Sequence, residues 1–186
     1  MASVFQQRKI QEMFVAFDVD GDGHLQREDF EALVDRWGRL PGVEPGTELR
    51  ARVEALLMGW WDELSAADTD HDGRVDVHEV HALMDRLHSM PEAVTATART
   101  IFDAIDENRD GRISRTEHRR LVETWHGRSV DTDTVFDLLD LDGDGYLSRP
   151  EFARLWSQFW MSDDPAEPGN LLCGRIPEPG PASRKA

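Results

Sequence analysis

Residues 140–151 read DLDGDGYLSRPE, and three relatives of this segment lie upstream: DVDGDGHLQRED at 18–29, DTDHDGRVDVHE at 68–79 and DENRDGRISRTE at 106–117. Each is twelve residues long, and each places oxygen-bearing side chains at positions one, three, five and nine and a carboxylate at twelve. Position six is always Gly, which allows the sharp turn that wraps such a loop round an ion. Six to eight oxygens at flexible geometry is what a hard cation such as Ca²⁺ requires, with position seven supplying a backbone carbonyl. The fourfold recurrence is the organising feature of the chain. A single match would be weak evidence, but four with the same flanks are not chance acidic turns.

The candidate ligands follow loop by loop. The first loop offers Asp18, Asp20, Asp22, the His24 carbonyl, Gln26 and Asp29, and the second Asp68, Asp70, Asp72, the Arg74 carbonyl, Asp76 and Glu79. The third offers Asp106, Asn108, Asp110, the Arg112 carbonyl, Ser114 and Glu117, and the fourth Asp140, Asp142, Asp144, the Tyr146 carbonyl, Ser148 and Glu151. Asp29 is one methylene shorter than the Glu found at position twelve elsewhere. A single-oxygen contact lowers the coordination number toward six, which suits Mg²⁺. Loop one therefore reads either as a mixed Ca²⁺/Mg²⁺ site or as a decayed one, and its otherwise complete ligand set favours the working site. Loop three has the fewest carboxylates at ligand positions, with Arg109 and Arg112 beside them, and is expected to bind more weakly.

Outward from the loops, apolar residues recur in three- and four-residue steps, the mark of helices that bury one face. Ile10, Met13, Phe14 and Phe17 enter loop one and Phe30, Leu33, Val34 and Trp37 leave it. Trp60, Trp61 and Leu64 enter loop two, with Val80, Leu83, Met84 and Leu87 beyond it. Ala98, Ile101, Phe102 and Ile105 lead into loop three, followed by Leu121, Val122 and Trp125; Val135, Phe136 and Leu139 enter loop four, and Phe152, Leu155, Trp156 and Phe159 exit. Asp76 with Glu79, Ser114 with Glu117 and Ser148 with Glu151 have capping-box spacing, so each loop end starts its exit helix. Ser89 with Glu92 is spaced to open the helix into loop three, a turn cluster occupies 41–46 before a helix from about Glu48, and Gly127 ends the helix out of loop three. Position eight is apolar in every loop (Leu25, Val75, Ile113, Leu147), which predicts a short bridge between neighbouring loops, one with two and three with four.

The formal net charge is −16, from 37 Asp and Glu against 21 Lys and Arg. A field of that sign repels nucleic acid and anionic membrane and attracts cations or basic partners. The apolar stretch Ala55 to Trp61 is far too short to span a membrane, the opening residues show no signal-peptide core, and Ala2 removes the myristoylation motif; no membrane anchor is expected. Cys173 is the one cysteine, excludes an internal disulfide and suits a reducing, cytoplasmic setting. It reads as an inert thiol in a flexible tail.

Four loops, an enlarged gap after the first and Asp at the end of loop one make the chain resemble the sarcoplasmic calcium-binding protein family of EF-hand proteins, most of all its calerythrin-type bacterial members. The resemblance runs from Gln6 to about Gly174. It includes Arg8-Lys9-Ile10 through Phe17-Asp18, Glu28-Asp29-Phe30, and Asp163-Asp164-Pro165 to Pro168-Gly169-Asn170. It implies an all-α protein with four EF-hand helix–loop–helix units in two paired lobes packed into one compact globule. The expected division is 1–88 for the first pair, 89–161 for the second, and 162–186 for a Pro/Gly-rich tail that Leu171, Leu172 and Ile176 would clamp over the core. Many relatives have a degenerate second loop, whereas 68–79 is complete here, so up to four Ca²⁺ are expected, with Mg²⁺ accepted at 18–29.

The implied role is a monomeric intracellular Ca²⁺ buffer or carrier. A calcium sensor opening a groove for a protein target is the alternative; such surfaces are Met-rich, and this chain has six Met against six Trp and eight Phe. A photoprotein-like enzyme is a further alternative. It is disfavoured because Tyr146 and His24, His71 and His78 lie in loops, and most of His81, His88, His118 and His126 are expected on solvated helix faces. No nucleophilic or zinc spacing appears, so no catalytic residue is assigned.

Overall fold

The computed structural model describes residues 3–81 and 91–176. Helix α1, Val4–Phe17, starts where the Ser3 hydroxyl accepts the Gln6 N–H at 3.1 Å. Helix α2, Arg27–Trp37, leaves loop one. The segment between α2 and α3 is pinned by buried Leu40 and Val43, and Gly42 and Gly46 take positive φ in the expected turn cluster. Thr47 then caps α3, Glu48–Ser65, through its hydroxyl on the Arg50 N–H. Helix α4 follows loop two and is described over 77–81.

The second half repeats the plan. Helix α5, Pro91–Ile105, enters loop three and α6, Arg115–His126, leaves it, ending at Gly127 with φ of +66°. A left-handed residue stops a helix at little steric cost only when it is Gly. Helix α7, Asp133–Leu139, is the short entry to loop four, and α8, Arg149–Met161, is its exit. The expected cap of Ser89 on Glu92, the 88/89 boundary, His88 and the apolar positions Leu83, Met84 and Leu87 lie outside the described residues.

The position-eight bridges are present. Leu25 and Val75 exchange backbone hydrogen bonds of 2.9 and 3.0 Å. Strands β1, Arg112–Ser114, and β2, Tyr146–Ser148, pair antiparallel with Ile113 opposite Leu147. All four side chains are fully buried, so each bridge also plugs the core beneath its loops.

One continuous core joins the two halves. Phe17 of α1 lies 5.6 Å from Trp60 of α3 and 5.3 Å from Trp125 of α6, and Trp125 lies 6.0 Å from Trp156 of α8. Ring pairs at these separations add attraction beyond the area they bury. Trp37, Trp61, Trp125 and Trp156 are buried, while Trp60 and Trp160 are partly so.

The chain after Met161 differs from a flexible tail. Residues 162–176 fold back over α6 and α8, with a 3₁₀ turn at Pro168–Leu171 and buried Leu172 and Cys173. The ammonium of Lys9, itself buried, donates to the carbonyls of Phe159 (2.8 Å) and Ser162 (2.6 Å) and to Asn170 Oδ1 (3.1 Å). These bonds cap the end of α8 and tie the tail to α1. Of the four helix histidines, most of which are expected to be solvated, two are covered by the tail. His118 is fully buried and donates from Nε2 to the Leu172 carbonyl at 2.9 Å; His126, half-buried, makes the same bond to Cys173 at 2.7 Å. Burial pushes the His118 imidazole down to about 4 and raises the Cys173 thiol, which keeps that sulfur inert.

Candidate metal centre

The four acidic loops share one turn, built from the same backbone-to-carboxylate bonds. In loop one, Asp18 accepts the N–H groups of Gly21, Asp22 and Gly23 at 2.8–3.1 Å. Asp68 accepts from His71 and Gly73, Asp106 from Asp110 and Gly111, and Asp140 from Gly143 and Gly145. Position three then accepts from the N–H of position five, and position five from that of position seven: Asp142 from Asp144 at 3.1 Å, Asp144 from Tyr146 at 2.9 Å. Asp20, Asp22, Asp70, Asp72, Asn108 and Asp110 repeat these bonds in their own loops. The backbone donors hold these side chains in the same arrangement in every loop.

Gly23, Gly73, Gly111 and Gly145, all at position six, have φ between +79° and +88°. Position four is also left-handed, which sequence reasoning missed. Gly21 and Gly143 fill it without strain, but loops two and three place His71 (φ 59°) and Arg109 (φ 58°) there. An L side chain in that region costs about 1 kcal/mol.

Position twelve closes each loop. Glu117 accepts the Glu107 N–H at 3.0 Å on one oxygen and the Ser114 N–H at 2.8 Å on the other; Glu79 does the same with Thr69 and Asp76. Asp29, despite its shorter arm, spans the same pair of donors: Val19 and Gln26, both at 2.9 Å. It manages this from a buried position, and burial raises its pKa against those two bonds. Glu151 accepts from Ser148 on one oxygen at 2.9 Å, while its Oε1 is buried without a hydrogen-bond partner. The capping boxes expected at Asp76/Glu79, Ser114/Glu117 and Ser148/Glu151 are formed. A fourth, unforeseen, joins Gln26 to Asp29.

Three carboxylates come within 4.8 Å of one another in loop one (Asp18, Asp20, Asp22), loop two (Asp68, Asp70, Asp72) and loop four (Asp140, Asp142, Glu151). Loop three forms no such cluster because Asn108 stands at position three. Like charges that close repel: in loop two the Asp72 N–H pulls Asp70 down, but burial and the carboxylates of Asp72, Glu79 and Asp68 leave its pKa raised. An all-oxygen donor set with crowded negative charge fits a hard divalent cation, and the unpaired Glu151 oxygen fits a missing bond to one. Gln26 donates to Asp22, and Ser114 and Ser148 donate to Glu117 and Glu151, so the position-nine side chains brace the carboxylates. A further residue touching the sites that sequence reasoning passed over is Arg149, whose partner Asp106 is distant in the chain.

Comparison with known proteins agrees with this geometry. The family model described as an EF-hand domain pair matches residues 7–84, 61–121 and 95–157. The alpha chain of the sarcoplasmic calcium-binding protein of Penaeus vannamei is 30% identical over 111 residues, covering 55% of this chain and 58% of that one. The chain thus spans little more than half the length of that relative. The solved sarcoplasmic calcium-binding protein of amphioxus shares the fold, with a TM-score of 0.72 at 22% identity over 95% of this chain and all of the other. A Streptomyces coelicolor calcium-binding protein, solved in a study of calcium-mediated regulation, is 26% identical with a TM-score of 0.62, over 83% of this chain and 96% of its own. Matched along most of its length by the pair model and built of four loops of one design, the chain belongs to the EF-hand family and resembles its sarcoplasmic calcium-binding members.

Proposed function

We propose that this protein binds Ca²⁺ reversibly at four sites and serves as a monomeric cytoplasmic buffer or carrier, without a catalytic step of its own. The observation that carries the reading is the common scaffold of the loops: every one holds its position-one and position-twelve carboxylates on backbone N–H groups, loop one included. The ligands are the oxygens of positions one, three, five and twelve, the carbonyls of His24, Arg74, Arg112 and Tyr146, and position nine directly or through water. Mg²⁺ competes best at 18–29, where Asp29 has the shorter arm. The lone, buried, unpaired Cys173 suits a reducing compartment.

Buffer rather than sensor is supported by the way the core is closed. Lys9, His118 and His126 hold the tail across α6 and α8, and the aromatic cluster links both halves, so opening one pair would break contacts to the other. A sensor must gain apolar surface that a target binds differentially. The sensor reading has one observation in its favour, an apolar cleft of about 250 Å³ between α5 and α8 lined by Ala98, Phe102, Phe152 and Ala153. Hydrophobic dye fluorescence and phenyl-matrix retention during a Ca²⁺ titration, with and without Mg²⁺, decide between them. The buffer predicts falling dye fluorescence and no retention. Rising fluorescence with calcium-dependent retention would replace it by the sensor.

A further inference from the structure

In the second pair of loops, each loop sends an arginine to a metal-facing carboxylate of the other. Arg149, position ten of loop four, places Nη2 3.7 Å from Oδ2 of Asp106, position one of loop three. Arg112, position seven of loop three, places Nη1 3.9 Å from Oδ2 of Asp144, position five of loop four. The antiparallel pairing of β1 with β2 produces this exchange, since it sets Arg112 opposite Ser148 and brings each strand end beside the neighbouring loop. Both distances are too long for hydrogen bonds, so the contacts act through charge alone.

Arg149 is held in place. Its Nη1 donates to Asp103 Oδ1 at 2.6 Å, and its guanidinium lies 4.2 Å from the Phe102 ring centre. Asp103 also pairs with Arg52 of α3 at 2.9 Å, which ties this cation to the first half of the molecule. Arg112 rests 5.5 Å from the Tyr146 ring centre. The first pair of loops is different. There His24 and Arg27 stay with Asp22 and Glu31 of their own segment, and among the described residues no ion pair crosses between loops one and two.

We propose that Arg149 and Arg112 are affinity-setting residues, resident cations that stabilise the ion-free loops three and four and weaken Ca²⁺ binding there. The inference rests on the calcium reading of the loops. A double and a single positive charge sharing one carboxylate repel, even through a water-like dielectric, by an amount equal to about tenfold in affinity. Asp106 is the more buried carboxylate and Arg149 the closer, better-anchored cation, so the larger effect belongs to Arg149. Arg112, more exposed and farther from its carboxylate, is expected to contribute about threefold after screening.

The test compares the full chain with its R149Q, R149K and R112Q variants by calorimetric Ca²⁺ titration at low and high salt, and by melting temperature in chelator. R149Q should tighten one site about tenfold while lowering the ion-free melting temperature, R149K should bind as the parent does, and the gain should shrink in high salt. R112Q changes an exposed side chain and gives the same readout if R149Q folds poorly. Binding by R149Q and R112Q no tighter than the parent overturns the proposal, as does R149K binding as tightly as R149Q. A parent chain that binds no Ca²⁺ overturns instead the calcium reading beneath it.

Discussion

Replacing Lys9 with Met should release the tail. The ammonium donates to three acceptors, Phe159 O, Ser162 O and Asn170 Oδ1, and two of these are carbonyls at the end of α8 that no other backbone group satisfies in a helix terminus. Hydrogen bonds to a charged group contribute about 1.5–3 kcal/mol each. Burial works against them: it holds the Lys9 ammonium down at about 8, although Asp163 pulls the other way. Met keeps the side-chain length and leaves almost no cavity, so the loss is electrostatic rather than steric. The net cost is about 2–4 kcal/mol. For a chain of this size that is roughly 4–16 °C in melting temperature. Thermal melts of the Ca²⁺-loaded protein, read beside hydrophobic dye binding as Leu172 and Cys173 are uncovered, measure both consequences. Ending the chain after Met161 should reproduce the dye signal. If Lys9→Met melts within roughly 1 °C of the parent and binds no more dye, the tail is not held by this side chain and the clamp is wrong.

Asp29→Glu should increase selectivity for Ca²⁺ over Mg²⁺ at loop one, checked by competition calorimetry; unchanged selectivity would show that the position of α2, not arm length, sets the preference. The His118 imidazole is neutral in the fold, at about 4, and ordinary when unfolded, so the unfolded chain binds the extra proton between pH 6.5 and 4 and stability falls as pH drops through that window. Lowering the pH from 7 to 5 should therefore cost the parent about 2 kcal/mol more stability, read by chemical unfolding, than it costs His118→Gln. A difference between the two proteins that does not vary with pH would refute the buried neutral assignment.

Local chemistry made the loops and their flanking helices legible. The capping boxes need only three-residue spacing, and the position-eight bridges follow from an apolar residue repeated at a fixed place in each loop. The gap between the first two loops was readable for the same reason, from its Pro and Gly cluster. Contacts closed by distant segments were not readable. Lys9 meets Phe159 across 150 residues of chain, and His118 meets Leu172 across 54. Nothing about His118 in its own helix distinguishes a solvated face from one that a later segment will cover. Leu171, Leu172 and Ile176 gave a hint, as apolar residues in a Pro- and Gly-rich stretch that resembles the family's tail. Charge near loop three was noticed through Arg109 and Arg112, but the fold aims Arg112 at the neighbouring loop and brings Arg149 to Asp106 instead. That exchange depends on strand register, which the ligand pattern does not contain. The left-handed conformations of His71 and Arg109 are also hidden in the sequence, because Gly fills position four in only two of the four loops.

Stoichiometry is the most direct test of the central claim. The chain carries four loops with the same hydrogen-bonded turn, and Asp29 occupies the same donors as Glu117 in a complete loop. Native mass spectrometry of chelator-stripped protein returned to Ca²⁺ in the absence of Mg²⁺ should show four ions per chain, accompanied by a rise in melting temperature as the ions bind only the folded loops. Saturation below four, or four ions with no gain in stability, would contradict the account.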